Sequence, residues 1–247
     1  MYHQLELARS GETLFKIRGK YLSLVCFLSA SIAYLAESPG QISSDSAYQL
    51  WFCAAIATAS AGAILRIVTS GYAALGTSGS TKLGAIAAEL NTTGPYSLVR
   101  NPLYTGRILN FTGIAMLSGN WVYSLVVFLV SIMIYERISV YEEEFLRDEF
   151  GDAHSNWADN VPFLLPKIRG WKKPKYPFWI RRSIMREDKK IVWLAGTIAL
   201  CNLAHHGFSP SAIPENMLWY CVWAGVLLAY IINRILRRFT TTYDNIT

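Results

Sequence analysis

Charge is scarce in this chain. Only 16% of its 247 residues are Asp, Glu, Lys or Arg, where a soluble domain carries about 25%. That deficit argues against a fold whose whole surface meets water. Histidine is rarer still, with four residues, and the four cysteines (Cys26, Cys53, Cys201, Cys221) form no CxxC pair and have no histidine neighbours. No metal site is therefore expected, and the thiols read as small buried hydrophobes within apolar segments. His205-His206 lacks the further ligands a metal would need. There is no GxGxxG nucleotide signature and no internal repeat. Arg9, Lys16, Arg18 and Lys20 precede the first apolar run as in a signal peptide, but no small-residue cleavage site closes it, so the run is expected to stay as a helix. Basic residues are also missing from particular places: segments 37–46 and 208–213, and position 120, hold none.

What is present is apolar and aromatic. Hydrophobic residues make up 52% of the chain, with eight Trp and fourteen Tyr, and the mean hydropathy is +0.25. A bilayer core takes about 20 apolar residues of helix, and tryptophan and tyrosine favour its two interfaces. The expected fold is an all-α, polytopic integral membrane bundle of about six transmembrane helices, with spans at 21–36, 47–68, 103–119, 121–135, 191–207 and 214–233. Several are slightly short, which tilt or flanking aromatics must offset. Of the 23 basic residues, 21 fall before span one, between spans two and three, between spans four and five, or after span six. By the positive-inside rule this places both termini in the cytoplasm. The other two, Arg66 and Arg107, lie inside spans, and with Asn110 they imply that the third span turns a face into the bundle. Asn-X-Ser/Thr triplets at Asn91, Asn110 and Asn245 fall on the cytoplasmic side or within a span and are not expected to carry glycans.

The polar residues concentrate between 94 and 166. Gly94-Pro95 marks a turn, and Pro95 and Pro102 stiffen a loop whose polar groups are Tyr96, Arg100 and Asn101. Gly106, early in the next helix, permits close approach of a ligand or a backbone. A short turn at Ser118-Gly119-Asn120 makes the third and fourth spans antiparallel neighbours. Residues 121–150 suit one helix of about 45 Å, longer than a hydrocarbon core of about 30 Å. Glu142 and Glu143 then stand about 10 Å beyond Tyr135, where the apolar run ends. Taken alone, the Glu142-Glu143-Glu144 run is a solvated helix face, and Arg100 and Tyr104 are interfacial anchors.

The combination is more specific. Gly94-Pro95-Tyr96, then Arg100-Asn101-Pro102-Leu103-Tyr104-Thr105-Gly106, a membrane hairpin, Arg137, the paired Glu142-Glu143, Phe150-Gly151 and Val161-Pro162-Phe163-Leu164-Leu165-Pro166 follow one another in an order that resembles the isoprenylcysteine carboxyl methyltransferase and phospholipid methyltransferase family. The resemblance implies an S-adenosylmethionine-dependent membrane methyltransferase with a cofactor pocket near the cytoplasmic membrane surface. It places Tyr96, Arg100, Asn101, Tyr104, Gly106, Glu142 and Glu143 at the cofactor and Arg137, Glu142 and Glu143 in catalysis. The chain departs from the family at Asn101, where histidine is usual, at His154 and Trp157, where tyrosine is usual, and at Phe163, where a basic residue is frequent. Asparagine keeps hydrogen bonding but cannot titrate near neutral pH.

Three parts follow: residues 1–93, with the first membrane helices and a connecting loop; the methyltransferase-like core at 94–166; and residues 167–247, a basic linker with two further spans. The linker interleaves basic and aromatic residues. That composition suits nucleic acid, but beside two membrane spans it reads as a segment on anionic lipid headgroups, and no nucleic-acid partner is expected. The acceptor implied is a lipid or prenylated molecule entering from the bilayer, first an isoprenylcysteine-like carboxylate. A phospholipid amine and a non-catalytic membrane scaffold or carrier that keeps the fold are the alternatives.

Overall fold

The computed structural model describes residues 2–35, 39–77, 87–210 and 212–239. Among these the chain is helical throughout, its only strand-like pairings being the isolated bridges Gln41–Asn120 and Thr77–Ala87. In chain order the helices are α1 (Tyr2–Tyr34), α2 (Asp45–Tyr72), a 3₁₀ turn (Gly94–Ser97), α3 (Pro102–Met116), α4 (Trp121–Ala158), α5 (Ile180–His205), the short α6 (Ala212–Glu215) and α7 (Met217–Phe239). The expected connection 71–89 is described only at its ends, and Lys82 and Asn245 lie outside the described residues.

Among the described residues, three helices are long and apolar enough to cross a membrane: α2, α4 and α7. The protein is an integral membrane helical bundle. The expected spans 47–68 and 121–135 lie within α2 and α4, and 214–233 overlaps α7 from Met217 onward. Those at 21–36, 103–119 and 191–207 fall on or around α1, α3 and α5, which do not reach that measure. The reason is plainest for α3, whose 15 residues extend about 22 Å at 1.5 Å per residue, short of the hydrocarbon core.

α3 is held between α2 and α4, and α1 packs on α4 and α5. α5 bridges α1, α2 and α7. The common core includes Val25, Phe111, Ile114, Tyr135, Ile138 and Ile198. Small residues set the approach of α2 to α3, as in other membrane helix pairs. A Cβ on Gly62 would lie 2.5 Å from the Gly106 carbonyl oxygen, and one on Gly113 would lie 2.7 Å from that of Ala55. Gly113→Val therefore pushes the two helices apart, a cost of about 1–3 kcal/mol for overpacking. Thermal unfolding in detergent should show this lower stability, and an unchanged midpoint would contradict the close crossing.

At one end of the bundle the α3–α4 turn is as tight as its sequence suggests. The Asn120 side chain caps α4 by accepting from the Tyr123 amide at 2.9 Å, and 39–42 clasp this turn through Ile42 N–H to Gly119 O and Trp121 N–H to Gly40 O. At the other end α4 runs on past its apolar stretch and breaks at Gly151, whose φ of 51° and ψ of −124° are not helical. Only glycine enters such a conformation without strain, and the chain resumes helix to Ala158. The following segment returns as a strap across the 94–101 loop, with Arg100 N–H to Pro162 O, Lys167 N–H to Leu98 O and Gly94 N–H to Lys172 O.

Two expectations change. Cys26 and Cys201 are buried, but Cys53 and Cys221 are exposed, on outer faces of α2 and α7 that a bilayer covers. The basic linker is not wholly a surface segment. Arg182 is 1% exposed. Its guanidinium donates to the carbonyls of Ser70, Gly71 and Ala73, satisfying carbonyls that the end of α2 leaves without helical partners. Ile168, Trp171 and Ile180 remain exposed with Lys172 and Lys173, a mixture that suits a membrane surface.

Candidate active site

The loop that the strap crosses lines one end of a cavity of about 470 Å³. That size lies within the usual range for small-molecule sites, roughly 300–1,000 Å³. Its walls come from every long helix and from the 87–101 loop.

Five of the expected site residues line it: Tyr96, Arg100, Asn101, Tyr104 and Glu142. Tyr96 projects from the 3₁₀ turn, whose carbonyl at that residue accepts from Trp157 Nε1–H at 3.1 Å. Trp157 thus pins the turn and also lines the cavity. Tyr104 stacks on Tyr135 at 5.1 Å between ring centroids, and its side chain lies beside the Glu142 carboxylate on the cavity wall. Glu142 stands seven residues past Tyr135, beyond the apolar run of α4. Burial pushes its carboxyl up to about 7, against the pull of the Tyr104 hydrogen bond and of Arg18.

Glu143 lies behind the wall. Its side chain, 11% exposed, accepts from Asn101 Nδ2–H at 2.9 Å and pairs with Arg100 at 3.3 Å. Burial raises its carboxyl, while Arg100 and Asn101 hold it down. The carboxylate fixes both loop residues that face the cavity. Phe163 covers Arg100 from the other side, with the guanidinium carbon 5.3 Å from its ring centre.

Besides Glu143, two further expected residues are off the cavity wall. Gly106 packs against Arg66 and the Gly62 carbonyl of α2, so its missing side chain serves a helix crossing. Arg137 donates from its guanidinium to the Met133 carbonyl of its own helix and is absent from the cavity wall.

The structure adds residues that the sequence pattern does not single out for the site. Arg18 enters from α1, Arg66 from α2, Arg107 from α3, Arg186, Glu187 and Lys190 from α5, and Arg234 and Arg237 from α7. Arg66 donates to both Glu187 oxygens, at 2.9 and 2.6 Å, and to the Leu103 carbonyl at 2.9 Å. Lys190 donates to the same carboxylate at 2.7 Å. One cluster therefore ties α2, α3 and α5 together. For Arg66 and Arg107 a signal was available, since charged residues within an apolar span have a function by default.

Residues 52–153 match the sequence profile of the phospholipid methyltransferase family. The chain is 35% identical over 79 residues, 32% of its length and 34% of the relative's, to a protein-S-isoprenylcysteine O-methyltransferase of Schizosaccharomyces pombe. It is 25% identical over 126 residues, 50% of its length, to the nickel-cobalt-cadmium resistance protein NccN of Alcaligenes xylosoxydans, covering 59% of that protein. Identity to the cobalt-zinc-cadmium resistance protein CzcN of Cupriavidus metallidurans is 29% over 107 residues, 43% of this chain and 49% of that protein. The chain thus spans about a third to three fifths of the length of these curated relatives. No solved structure matches it significantly. The resemblance read from 94–166 is supported: residues 52–153 are similar to the phospholipid methyltransferase family, and the matched stretch carries most of α2, all of α3, most of α4 and the loop that lines the cavity.

Proposed function

We propose that this protein transfers a methyl group from S-adenosylmethionine to a lipidic acceptor that enters its cavity from the bilayer. The observation that carries this reading is the convergence of Tyr96, Arg100, Asn101, Tyr104 and Glu142 on one cavity, beside the point where α4 leaves its apolar run. The residues fit the cofactor. It bears an ammonium, a sulfonium and a carboxylate, and such a group needs a carboxylate together with guanidinium or amide partners. Glu142 serves the cationic part, Arg100 and Asn101 the anionic part, and the rings of Tyr96, Tyr104 and Trp157 offer faces to a planar base. Bound S-adenosylmethionine supplies an already activated methyl group. The protein then has to position a nucleophile and keep water out. Glu143 acts through Arg100 and Asn101 as a positioning residue.

An isoprenylcysteine-like carboxylate is the first acceptor on this reading, because a carboxylate attacks without first losing a proton. A phospholipid amine is the second, favoured by the Glu142 carboxyl, which lies near neutrality and faces the cavity where an ammonium would have to surrender its proton. Calorimetric titration of the purified chain in detergent tests the common premise. Saturable binding of S-adenosylmethionine or its demethylated product is expected, and no binding up to millimolar cofactor would leave the non-catalytic scaffold as the better reading. A one-methyl mass gain in lipids of cells that make the protein, followed by mass spectrometry, then separates carboxylate from amine acceptors.

The same reading places both termini and the cavity mouth on the cytoplasmic side, on the strength of the basic-residue asymmetry. Ser43→Cys and Ser209→Cys are then labelled only from the opposite face. Labelling of either by a membrane-impermeant reagent added from the cytoplasmic side overturns this orientation.

A further inference from the structure

The charge of Arg107, on the cavity wall, has no evident use. Among the described residues its guanidinium makes no hydrogen bond or ion pair, and its ring contact is with Phe111, 5.9 Å from the ring centre. It lines the main cavity and also a pit of about 10 Å³ below it, bounded by Arg66, Asn110, Glu187 and Lys190 and by apolar residues of α1, α2 and α5. An unpaired guanidinium in such a place is costly. Its neighbours make matters worse, because Arg66 and Lys190 share the single carboxylate of Glu187. The cluster holds three basic groups and one acid, so it carries one or two positive charges in excess.

Depth says what can neutralise it. Arg66 lies 21 residues into α2, counted from Asp45, or about 32 Å along the helix. That matches a hydrocarbon thickness of about 30 Å, so the cluster sits at the boundary where lipid headgroups meet acyl chains. Above it, α7 adds the exposed Arg234 to the rim. The cavity is bounded by Phe15 and Arg18 on α1 and by Tyr230 and Arg234 on α7, two helices that do not pack as a pair. Lys190 and Arg234 come from α5 and α7, outside the family-matched 52–153.

We propose that Arg107, with Arg66 and Lys190 beneath it and Arg234 at the rim, forms an anchoring subsite for the anionic oxyacid group of an amphiphile. The group is a phosphate or carboxylate, carried at headgroup depth with its chain in the bilayer. That this amphiphile is the methyl acceptor rests on the function proposed above; the subsite itself does not. A guanidinium recognises such oxygens through paired donors, and Glu187 keeps Arg66 and Lys190 in place without cancelling their charge.

The test uses the whole chain in a neutral maltoside detergent and three probes: a single-chain phosphate monoester, the same chain bearing phosphocholine, and inorganic phosphate. The phosphate monoester should bind at least tenfold more tightly than the phosphocholine lipid, and inorganic phosphate should compete only weakly. Arg107→Gln should abolish the preference, Arg107→Lys should keep part of it, and Arg234→Gln should weaken it less. Equal binding of the two lipids, or a preference that survives Arg107→Gln, overturns the proposal. So does inorganic phosphate competing as well as the lipid, which would mark a site for free anions. If Arg107→Gln does not fold, the Arg107→Lys and Arg234→Gln variants decide, and wild-type affinity in both overturns it. Cofactor titration in parallel separates the two readings. Loss of cofactor binding by Arg107→Gln with the lipid preference intact would assign Arg107 to the methyl donor and overturn the subsite. A wild-type chain that discriminates the lipids but binds no cofactor would sink methyl transfer and leave the subsite standing.

Discussion

Glu187→Leu should destabilise the protein severely. The substitution leaves the buried Arg66 and the partly buried Lys190 without their shared counter-charge. Removing one partner of a buried ion pair costs about 3–5 kcal/mol. The loss should appear as a lower unfolding midpoint in detergent, conveniently followed by a thiol-reactive dye, because Cys26 and Cys201 are buried. Arg66→Met combined with Glu187→Leu should recover much of the loss, since apolar replacement of a whole buried pair is often neutral or stabilising. The remaining Lys190 is helped by burial, which already draws its ammonium down to about 7, so it sheds its charge readily once Glu187 is gone. A Glu187→Leu protein as stable as the wild type would mean that water or lipid reaches the cluster freely.

Methyl transfer should fall at least tenfold in Glu143→Gln, about 1.4 kcal/mol, with little change in the unfolding midpoint. Glutamine keeps an oxygen for the Asn101 amide but gives up the ion pair that orients Arg100. Arg100→Ala should be more severe, because truncating a charged group at a binding site costs about 2–5 kcal/mol. The two readouts have to be taken together. Full activity in both variants would place the site elsewhere, whereas activity and stability lost in proportion would point to a structural pair only. Asn101→His is expected to be tolerated, since either side chain can donate one N–H to Glu143. A severe loss in a folded Asn101→His protein would show a pocket rebuilt around the amide.

Much of this site is legible in the sequence. The stiff 94–102 loop and the paired Glu on an overlong helix have to meet once the hairpin at 118–120 is tight, and Asn101 does bond to Glu143. The two basic residues stranded in apolar spans, Arg66 and Arg107, both line the cavity. Residue type alone does not separate Glu142 from Glu143. One faces the cavity and the other holds the loop, and that depends on helix rotation, which adjacent residues sample 100° apart. The basic stretch of α5 misleads for a different reason. A run of Arg and Lys looks like surface whichever way it points, and only the unpaired carbonyls ending α2 explain why Arg182 turns inward. Arg137 follows the pattern and lies outside the cavity, because its position in α4 points to the helix's own carbonyls. Phe163 and Trp157 are visible as departures, but their jobs of covering Arg100 and pinning the Tyr96 turn arise only from the strap and from the last turns of α4 past Gly151.

The pair between Arg66 and Glu187 joins residues 121 positions apart, and that separation sets a timetable. At roughly 5–20 residues per second of synthesis, the ribosome needs on the order of 6–24 s after Arg66 to reach Glu187. During that interval α2 enters the membrane with a guanidinium that lacks its Glu187 partner, while α3 and α4 are already made. α2 is thus held provisionally, free to slide toward water until α5 arrives. Glu187 then fixes the depth of a helix inserted many seconds earlier, so that a late-synthesised part of the cavity wall locks an early one.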